Sequence, residues 1–507
     1  MARTIPYDVD EWQNFHLSVR NVPIAGVFEL HNSAGNASLA KMAASAAAVQ
    51  ALIGQAFAER RRLRAQGAAW SFSDVAVAPG GWMLSTGYAN WLYRLPPAQV
   101  APGFAGDAHG LLLAQTGISV AEINMYLEQR GRSLATSGAS NGQTFVGAMS
   151  TSTHGSAIDQ PAIQGQVRGF QLLSSPTSNL WVERASAPAT DGQMAAALGA
   201  TMVRDDRLFD AALVGLGAFG VIHSVLIESV PRFHLMMNRT RLPITPGLFK
   251  AMRGQGFDEV ALPGPPGERP YFFQSVLNRH IDKDNAYVTV GHKLPWDDTI
   301  PLVYDIQNRR APGYNLAVVV SNLLTVLPGL TKVITKAVLS DQLSEIRDRK
   351  ASWGQSFNFS TPRAGQAGAS MAVPADRAME ALTVLEGAFA ASGKAPVAFA
   401  CRYSVESPGL LAFQRFARTA IIDIDGLDGK STRQMMAAGI AAMRSAGIPH
   451  AEHWGKLNQL TAQSVRDSYG PNLEAWMKAR TDLLDRDSEY VFGSAFLDRL
   501  GMTSPQQ

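Results

Sequence analysis

Residues 141–156 read Asn-Gly-Gln-Thr-Phe-Val-Gly-Ala-Met-Ser-Thr-Ser-Thr-His-Gly-Ser, and the fold prediction depends on this stretch more than on any other. Its small residues let backbone amides approach a ligand closely, and a row of hydroxyl side chains runs through residues 150–153. A second small-residue loop, residues 64–74, reads Arg-Ala-Gln-Gly-Ala-Ala-Trp-Ser-Phe-Ser-Asp. Each loop alone is also consistent with ordinary turn chemistry. Together they predict a site for a ligand with two phosphates and a flat ring system.

Two better-known motifs occur nearby, but neither has the right surroundings. Gly215–Gly220 matches G-x-G-x-x-G, yet the pattern predicts a helix before it and a strand after it. A dinucleotide-binding fingerprint needs the opposite order, so that the helix N-terminus meets the pyrophosphate. Gly138–Gly142 matches G-x-S-x-G, which requires a helix directly after the serine. Because another glycine-rich loop is predicted there, we do not predict a hydrolase.

Other common reaction chemistries lack their motifs in this sequence. There is no pair of histidines four residues apart and no Cys/His cluster, so no metal site is predicted. There is also no G-x-x-x-x-G-K-[ST] stretch, which argues against ATP-driven chemistry.

Composition limits the class of protein. With 507 residues, 46% of them hydrophobic and 17% charged, the chain is expected to fold into two or three globular units. A net charge of +3 gives no strong field for nucleic acid. The one cysteine, Cys401, and an N-terminus without signal-peptide features indicate a reducing cytoplasm. The interrupted apolar stretch Leu316–Leu330 is shorter than the roughly 18–20 residues of a membrane span, and we expect buried helices there.

Hydrophobic periodicity gives a coarse secondary structure. Residues 38–63 are alanine-rich and predict a helix that ends in arginines, followed by a short strand over 63–66. Ser119 and Glu122 have capping-box spacing at the start of a second helix that ends near Gly131. Further strands are predicted at residues 110–115, 221–227, 286–290 and 397–403. The composition changes near residue 235, which indicates a second domain.

The residues of these loops resemble those of a known family. Residues 141–156 are similar to the signature of FAD-linked oxidases of the vanillyl-alcohol oxidase type, in the sugar-lactone and alditol oxidase branch, with Ser152 replacing a glycine. Residues 67–71 resemble the family's Gly-x-Gly-His-Ser, and residues 208–222 resemble the segment that closes its FAD domain. His453-Trp-Gly-Lys456 matches a C-terminal active-site motif of the branch. The resemblance covers residues 60–235 and 450–500.

The resemblance implies an α+β fold in which N- and C-terminal segments form a two-part FAD-binding domain around an inserted α/β cap domain. The expected boundaries are 1–235 for the FAD-binding domain, 236–430 for the cap and 431–507 for the returning segment. The residues expected to bind FAD are Gln66, Gly67, Ala68, Ala69, Trp70, Ser71, Gly142, Gln143, Gly147, Ala148, Ser150, Thr151, Thr153, His154, Gly155 and Ile222. His154 could equally be a structural histidine of its loop.

Two departures from the family pattern affect the chemistry. Trp70 stands where many members carry the histidine that attaches the flavin covalently, and no cysteine lies in the second loop. We therefore expect non-covalent FAD. Relatives in the alditol branch carry Glu-x-Arg on a cap strand, whereas Ala400 replaces the acid here and Arg402 is kept. Glu406 or Tyr403 could compensate for the missing carboxylate.

The resemblance implies an FAD-dependent oxidoreductase that takes a hydride from a CH–OH group of a small alcohol or lactone, with oxygen as the acceptor. The candidate catalytic residues are Lys456 and Arg402, with His453 and Asn458 nearby. Lys456 would stabilise the reduced flavin, and Arg402 would bind a substrate oxygen or an internal acid. Two alternatives stay open: a dehydrogenase that uses a quinone or protein acceptor, and a flavin-dependent biosynthetic enzyme. The substrate and the oligomeric state are not predicted.

Overall fold

The computed structural model describes residues 1–265, 267–304, 335, 343–358, 363–392 and 395–503. The helices expected within Leu316–Leu330 lie outside these residues. The strands in chain order are β1 Arg3–Tyr7, β2 Glu11–Trp12, β3 Val22–Pro23, β4 Gly26–His31, β5 Leu63–Gln66, β6 Trp82–Ser85, β7 Leu92–Arg94, β8 Leu111–Gln115, β9 Arg132–Ser133, β10 Val167–Leu173, β11 Asn179–Glu183, β12 Thr201–Arg204, β13 Val221–Glu228, β14 Val230–Pro231, β15 His234–Pro243, β16 Phe272–Leu277, β17 Asn285–Leu294, β18 Ile346–Ser352, β19 Gln366–Pro374, β20 Val397–Val405, β21 Arg418–Leu427 and β22 Ala451–Glu452.

The helices alternate with these strands, which gives the expected α+β class. They are α1 Leu39–Ala58, α2 Val120–Glu128, α3 Phe145–Ser150, α4 Gln193–Ala197, α5 Asp206–Leu213, α6 Pro246–Ala251, α7 Trp353–Ser356, α8 Ala378–Ser392, α9 Lys430–Ser445, α10 Ala462–Tyr469, α11 Pro471–Leu483, α12 Arg486–Val491 and α13 Ala495–Arg499. Among the described residues, no helix is long and apolar enough to cross a membrane.

The strands of the described residues form three main sheets. The first has the order β1-β4-β6-β5, and the second has the order β12-β11-β10-β13-β8-β7. The third has the order β18-β15-β17-β16-β20-β21-β19-β22. The first two sheets come from the N-terminal part of the chain. The third comes from residues 234–452, and its last edge strand, β22, lies just before His453.

Helix boundaries follow local capping. The capping box of α2 is confirmed, because the Ser119 hydroxyl accepts from the Glu122 amide while the Glu122 carboxylate accepts from the Ser119 amide. Helix α1 is shorter than predicted and ends at Ala58. Arg60 has left-handed backbone, with φ 48°, and therefore cannot continue the helix. The arginines thus follow the helix, and Arg62 pairs with Asp498 at 2.7 Å.

The small-residue loop of residues 141–156 contains a helix that sequence analysis missed. The stretch 141–156 was expected to be loop throughout, but α3 spans Phe145–Ser150. The Thr144 hydroxyl caps it by accepting from the Gly147 amide at 3.3 Å. Phe145 and Met149 are fully buried and anchor one side of the helix, so a short apolar face outweighs the polar composition. For the G-x-G-x-x-G motif the expected order is confirmed, since α5 precedes it and β13 follows it.

The third sheet has two different faces, because side chains alternate along each strand. Phe399, Cys401 and Ile422 point to the face that packs under α8 and α9 in an apolar core. Ala400, Arg402 and their neighbours point to the other face, which borders a cavity. A change of one residue in register would therefore exchange cavity residues for core residues.

The C-terminal helices pack against the N-terminal part of the chain. The Trp476 ring meets Phe219 edge-on, with centroids 5.1 Å apart. The Arg480 guanidinium donates to the Ala218 carbonyl at 3.0 Å. The Arg64 guanidinium donates to the Phe492 carbonyl at 3.4 Å. These contacts bring both ends of the chain to one side of the cavity.

Candidate active site

One large cavity lies between the two small-residue loops and the open face of the third sheet, with a volume of about 920 Å³. Most of the predicted site residues lie on its wall. Those from the loops and from β13 are Gln66, Gly67, Ala68, Ala69, Trp70, Ser71, Gln143, Gly147, Ala148, Ser150, Thr151, Thr153, His154 and Ile222. The predicted catalytic residues Arg402, His453 and Lys456 also line it. The structure thus brings together residues almost 400 positions apart in sequence.

Three predicted site residues are not on this wall. Gly142 lies behind Trp70, and a Cβ atom at Gly142 would come within 2.4 Å of the indole. Gly155 packs against the Ser137 carbonyl, where a Cβ atom would come within 2.2 Å. The Asn458 amide donates to the Lys456 carbonyl at 3.0 Å, so its side chain holds the local turn. All three support the wall from behind and do not face the cavity.

The first loop approaches the second so closely that a side chain at Gly67 would not fit. A Cβ atom there would lie 1.9 Å from the Thr144 hydroxyl, which caps α3. Ala69, with φ 52°, turns the backbone in the left-handed region. Trp70 stacks on Phe15, with ring centroids 4.7 Å apart. The loop therefore offers backbone and small side chains to the cavity, while the large ring is held by Phe15.

Ser152 keeps the backbone of the glycine that it replaces. Its φ is 60°, the left-handed conformation that glycine adopts at low cost. The buried hydroxyl donates to Gln414 at 2.7 Å and accepts from Gln164 at 2.7 Å and from the Phe413 amide at 3.0 Å. These hydrogen bonds offset the backbone strain. The substitution therefore leaves the course of the loop unchanged.

A buried carboxylate that sequence analysis missed organises the charged end of the cavity. Asp423, on β21, has a fully buried side chain. It pairs with the Lys456 ammonium at 3.1 Å and with the Arg402 guanidinium at 3.0 Å, and it accepts from the Ser370 hydroxyl. Burial would raise the pKa of Asp423, but Lys456 and Arg402 together hold that pKa below its usual range.

This carboxylate lies beside Ala400, the position at which the resemblance predicts an acid. Asp423 is the direct cross-strand partner of Ala400. The two suggested substitutes do not reach the cavity wall: Tyr403 is buried in the core on the other face, and Glu406 is exposed. A sequence signal existed, since Asp423 and Asp425 alternate with isoleucines in the stretch that forms β21. Only the strand pairing shows which basic residues they meet.

Lys456 and Arg402 have fixed positions. Burial opposes the charge on Lys456, yet Asp423 and then Asp425 hold its pKa above its usual range. The Arg402 guanidinium also donates to Gln274 at 3.1 Å, so the neighbouring strand β16 orients it. Both side chains are therefore held in position as cations on the cavity wall.

The two histidines of the site are neutral near pH 7. Burial lowers the pKa of His154 to about 4 and lowers that of His453 well below its usual range. His154 Nδ1 donates to the Gly155 carbonyl at 3.2 Å, while its Nε2 lies 3.8 Å from Asp423. His453 Nδ1 accepts from the Gly455 amide at 3.0 Å. His154 thus holds its own loop and also faces the buried carboxylate.

The wall beside this charged cluster is less polar. Val276, Ala398 and Ala400 form an apolar patch on two adjacent strands, with Tyr287 and Leu343 packed beside it. Arg239 and Arg349 also line the cavity. In the described part of the chain, no group of three or more His, Cys, Asp or Glu side chains could hold a metal ion.

Comparison with known families indicates which cofactor the cavity binds. The FAD binding domain family matches residues 37–181, and the D-arabinono-1,4-lactone oxidase family matches residues 304–500. The chain is therefore similar to FAD-linked oxidases in both its N-terminal and its C-terminal part. Its sequence relatives lie in the sugar-lactone oxidase branch, and FAD is the cofactor of this flavoprotein.

Individual relatives are distant. The chain is 25% identical to L-gulonolactone oxidase of Bos taurus over 39% of its own length and 38% of that protein. It is 24% identical to D-arabinono-1,4-lactone oxidase of Yarrowia lipolytica over 43% and 38%, respectively. It is 27% identical to L-gulono-1,4-lactone dehydrogenase of Mycobacterium tuberculosis over 36% of each chain. The matched stretches thus span little more than a third of these relatives.

Solved structures share the fold over nearly the whole chain. Cholesterol oxidase from Brevibacterium sterolicum superposes with a TM-score of 0.67 at 14% identity, covering 98% of this chain and 97% of that one. A solvent-stable cholesterol oxidase gives 0.70 at 15% identity, with 98% of each chain covered. At such identities the likeness concerns the fold alone.

The residues present fit FAD. Gly67, Ala68 and Gly147 lie on the cavity wall, where residues this small let a ligand approach the backbone closely. Arg64 lies on the same wall, fully buried, and burial lowers its pKa to about 10. Its guanidinium donates to the Val75 and Gly217 carbonyls at 2.8 Å, so it brings positive charge near the place where an anionic pyrophosphate would bind.

Proposed function

We propose that this flavoprotein oxidises a CH–OH group of a small alcohol or lactone, with oxygen as the electron acceptor. The observation that carries the proposal is the Lys456–Asp423–Arg402 cluster, which opens on the same cavity as both FAD loops. The lactone oxidases among the relatives support the substrate class. Because the matches cover only part of those proteins, the activity is inferred from this site.

Each charged residue has a distinct role in the proposal. FAD, when bound, accepts a hydride from the substrate carbon. Lys456 supplies a fixed positive charge to the cavity, and the ion pair with Asp423 keeps it in place. Arg402, oriented by Gln274 and Asp423, binds the oxygen of the CH–OH group or a neighbouring carbonyl. His154 and His453 cover this cluster and exclude water from it.

The proposed attachment of FAD is non-covalent. The support is Trp70, because an indole nitrogen does not form the link made by the histidine at this position in relatives. The ring is also occupied structurally, since it stacks on Phe15 and covers Gly142. The 16 residues named from the sequence remain our proposed FAD contacts, with Gly142 and Gly155 acting through the loops that they allow.

The proposed compartment is the cytoplasm, and the proposed boundaries are 1–235, 236–430 and 431–507. The compartment rests on the single, buried Cys401. The boundaries are supported by the change of sheet at β15 and by the C-terminal helices that pack on Phe219 and Ala218.

The test is anaerobic mixing of the purified flavoprotein with sugar lactones, alditols and hydrocarbon-rich alcohols. Bleaching of the flavin absorbance by one class is the expected result. The apolar patch of Val276, Ala398 and Ala400 is the reason for including the third class. If no compound of the three classes bleaches the flavin absorbance, the proposed oxidation is contradicted.

A second measurement separates oxidase from dehydrogenase. Gly147 and Ala148 are small wall residues that would leave oxygen room near the FAD loops. The M. tuberculosis relative, named as a dehydrogenase, favours the alternative. We expect stoichiometric peroxide under air. Rapid reduction of a dye or quinone without peroxide would identify a dehydrogenase instead.

A further inference from the structure

Two aspartates on β21 bracket the ammonium group of Lys456. Asp423 Oδ1 lies 3.1 Å and Asp425 Oδ1 lies 3.2 Å from Lys456 Nζ. They are two positions apart on one strand, so both point toward the same face of the sheet. Their exposure differs, because the side chain of Asp423 is fully buried while that of Asp425 is 46% exposed.

The inner carboxylate is held behind the cavity wall. Asp423 already meets Lys456, Arg402 and the Ser370 hydroxyl, and it does not lie on the cavity wall. The outer carboxylate is placed differently. Asp425 lies on the wall and keeps an exposed edge beyond its contact with Lys456. The two acids therefore have different roles. Asp423 holds the cations from behind the wall, and Asp425 faces the cavity.

The neighbouring strands leave space for Asp425 to act. Its cross-strand partners are Gly368 on β19 and Ala398 on β20. A Cβ atom at Gly368 would lie 2.9 Å from Asp425 Oδ1 and 3.3 Å from Lys456 Nζ. The absence of a side chain at Gly368 thus gives the carboxylate and the ammonium room to meet, and Ala398 is too small to cover them.

We propose that Asp425 is the catalytic residue that accepts the hydroxyl proton of the substrate. This inference rests on the proposed function. As the C–H bond breaks, the hydride carries two electrons to FAD, and the C–O bond becomes a carbonyl. The O–H proton passes to the Asp425 carboxylate and leaves through its exposed edge. A carboxylate is a sufficient base because the hydroxyl proton becomes strongly acidic once the carbon loses hydride.

The other candidate bases are less suited. Lys456 is a protonated cation between two carboxylates, so it has no lone pair to accept a proton. A guanidinium group is a donor without an acceptor site, which excludes Arg402 as the base. His154 is neutral, but its side chain is only 3% exposed and its Nε2 faces Asp423. Among the charged residues at this end of the wall, Asp425 combines negative charge with open access to the cavity.

The test compares Asp425→Asn and Asp425→Glu with wild type and with Asp258→Asn, an exposed aspartate away from the cavity. In single-turnover flavin reduction by a panel alcohol, we expect D425N to be slower by about 10²–10⁴-fold, D425E to recover part of the rate and D258N to match wild type. FAD content and thermal unfolding of D425N should stay close to wild type, because its volume is unchanged.

Ligand binding gives a readout besides activity. Perturbation of the flavin spectrum measures the affinity for an unreactive tertiary alcohol and for the ketone of similar shape. D425N should bind the alcohol about 10-fold or more weakly, because a charged hydrogen-bond acceptor is lost. Its affinity for the ketone should be the same as that of wild type. If wild type is reduced but D425N reacts and binds equally well, the assignment of Asp425 is wrong. If no alcohol reduces wild type, the proposed function fails and the inference fails with it.

Discussion

At the scale of single residues, the buried acid of the site, Asp423, lies on β21 and not on β20, where the resemblance predicts an acid. Ala400 stands where the resemblance predicts a carboxylate, and Asp423 places negative charge directly across the strand pair. The two positions are not equivalent, because Asp423 lies below the wall and meets Lys456 and Arg402 from behind. A buried ion pair of this kind is costly to break, since the remaining partner stays buried without compensation.

Replacing Lys456 with methionine tests the role of its charge. The change removes the positive charge that would stabilise the electron-rich flavin and leaves Asp423 with Arg402 as its cationic partner. We expect flavin reduction to slow about 10²–10³-fold and the flavin potential to fall. Lys478→Met, at an ammonium 66% exposed on α11, is the control and should change neither quantity. A K456M rate within about threefold of wild type would contradict the role.

The attachment of FAD is tested by acid precipitation. Trp70 lacks a nitrogen suited to a flavin link, so we expect a colourless pellet and a yellow supernatant whose spectrum is that of free FAD. A yellow pellet that survives washing would show a covalent bond, and peptide mapping would then locate the attached residue.

At the scale of elements, the cofactor loops depend on close backbone approach. Gly67 after β5 meets the Thr144 cap of α3, and Ser152 after α3 turns in the left-handed region. The contact between Gly67 and Thr144 ties the first loop to the second. The loops therefore form one unit, although some 70 residues separate them in sequence.

Gly67→Ala should damage this unit. The new Cβ atom would lie 1.9 Å from the Thr144 hydroxyl, so the cap or the loop must shift. Loss of an N-cap costs about 1 kcal/mol, and we expect a matching fall in the free energy of unfolding together with roughly 10-fold or more weaker FAD binding. Gly87→Ala is the control, because nothing lies within 4 Å of the place that its Cβ atom would occupy and its φ is not in the left-handed region. Equal FAD affinity of both variants would refute the contact.

At the scale of the whole molecule, buried neutral histidines link stability to pH. Burial lowers the pKa of His223, as of His154, to about 4, from an unfolded value near 6.5. His223 lies in the N-terminal part of the chain, on β13, where it contacts Gln171 at 2.9 Å and Ser45 at 3.1 Å. At a pH between these two pKa values, each of these histidines binds a proton in the unfolded chain but not in the folded chain. The stability contribution is therefore complete above about pH 6.5 and is lost as the pH falls toward 4.

His223→Gln should reduce this pH dependence. The amide can still hydrogen-bond to Gln171 or Ser45 but does not titrate. From about pH 6.5 to about pH 4.5, we expect the free energy of unfolding of wild type to fall more steeply than that of the variant, by up to about 1.4 kcal/mol per pH unit. His109→Gln, at an exposed histidine, should keep the wild-type slope. Urea titrations at several pH values measure it, and parallel slopes for H223Q and wild type would refute the linkage.

The sequence by itself determined the order of α5 and β13 around the decoy glycine motif, the capping box of α2 and the similarity to FAD-linked oxidases. It also indicated the two small-residue loops that meet at the cavity. These features are local, since they depend on spacing and residue type within short segments. The helix α3 was missed because the whole helix is only six residues long. The domain boundaries stay predictions.

Only the tertiary structure decided how the acids and bases meet. Asp423, Asp425, Arg402 and Lys456 come from β20, β21 and the segment after β22, and their contacts depend on strand order and register in the third sheet. The tertiary structure also placed Asn458, Gly142 and Gly155 behind the cavity wall. A single sequence does not reveal such pairings, because cross-strand contacts are non-local and a shift of one residue would turn these side chains into the core.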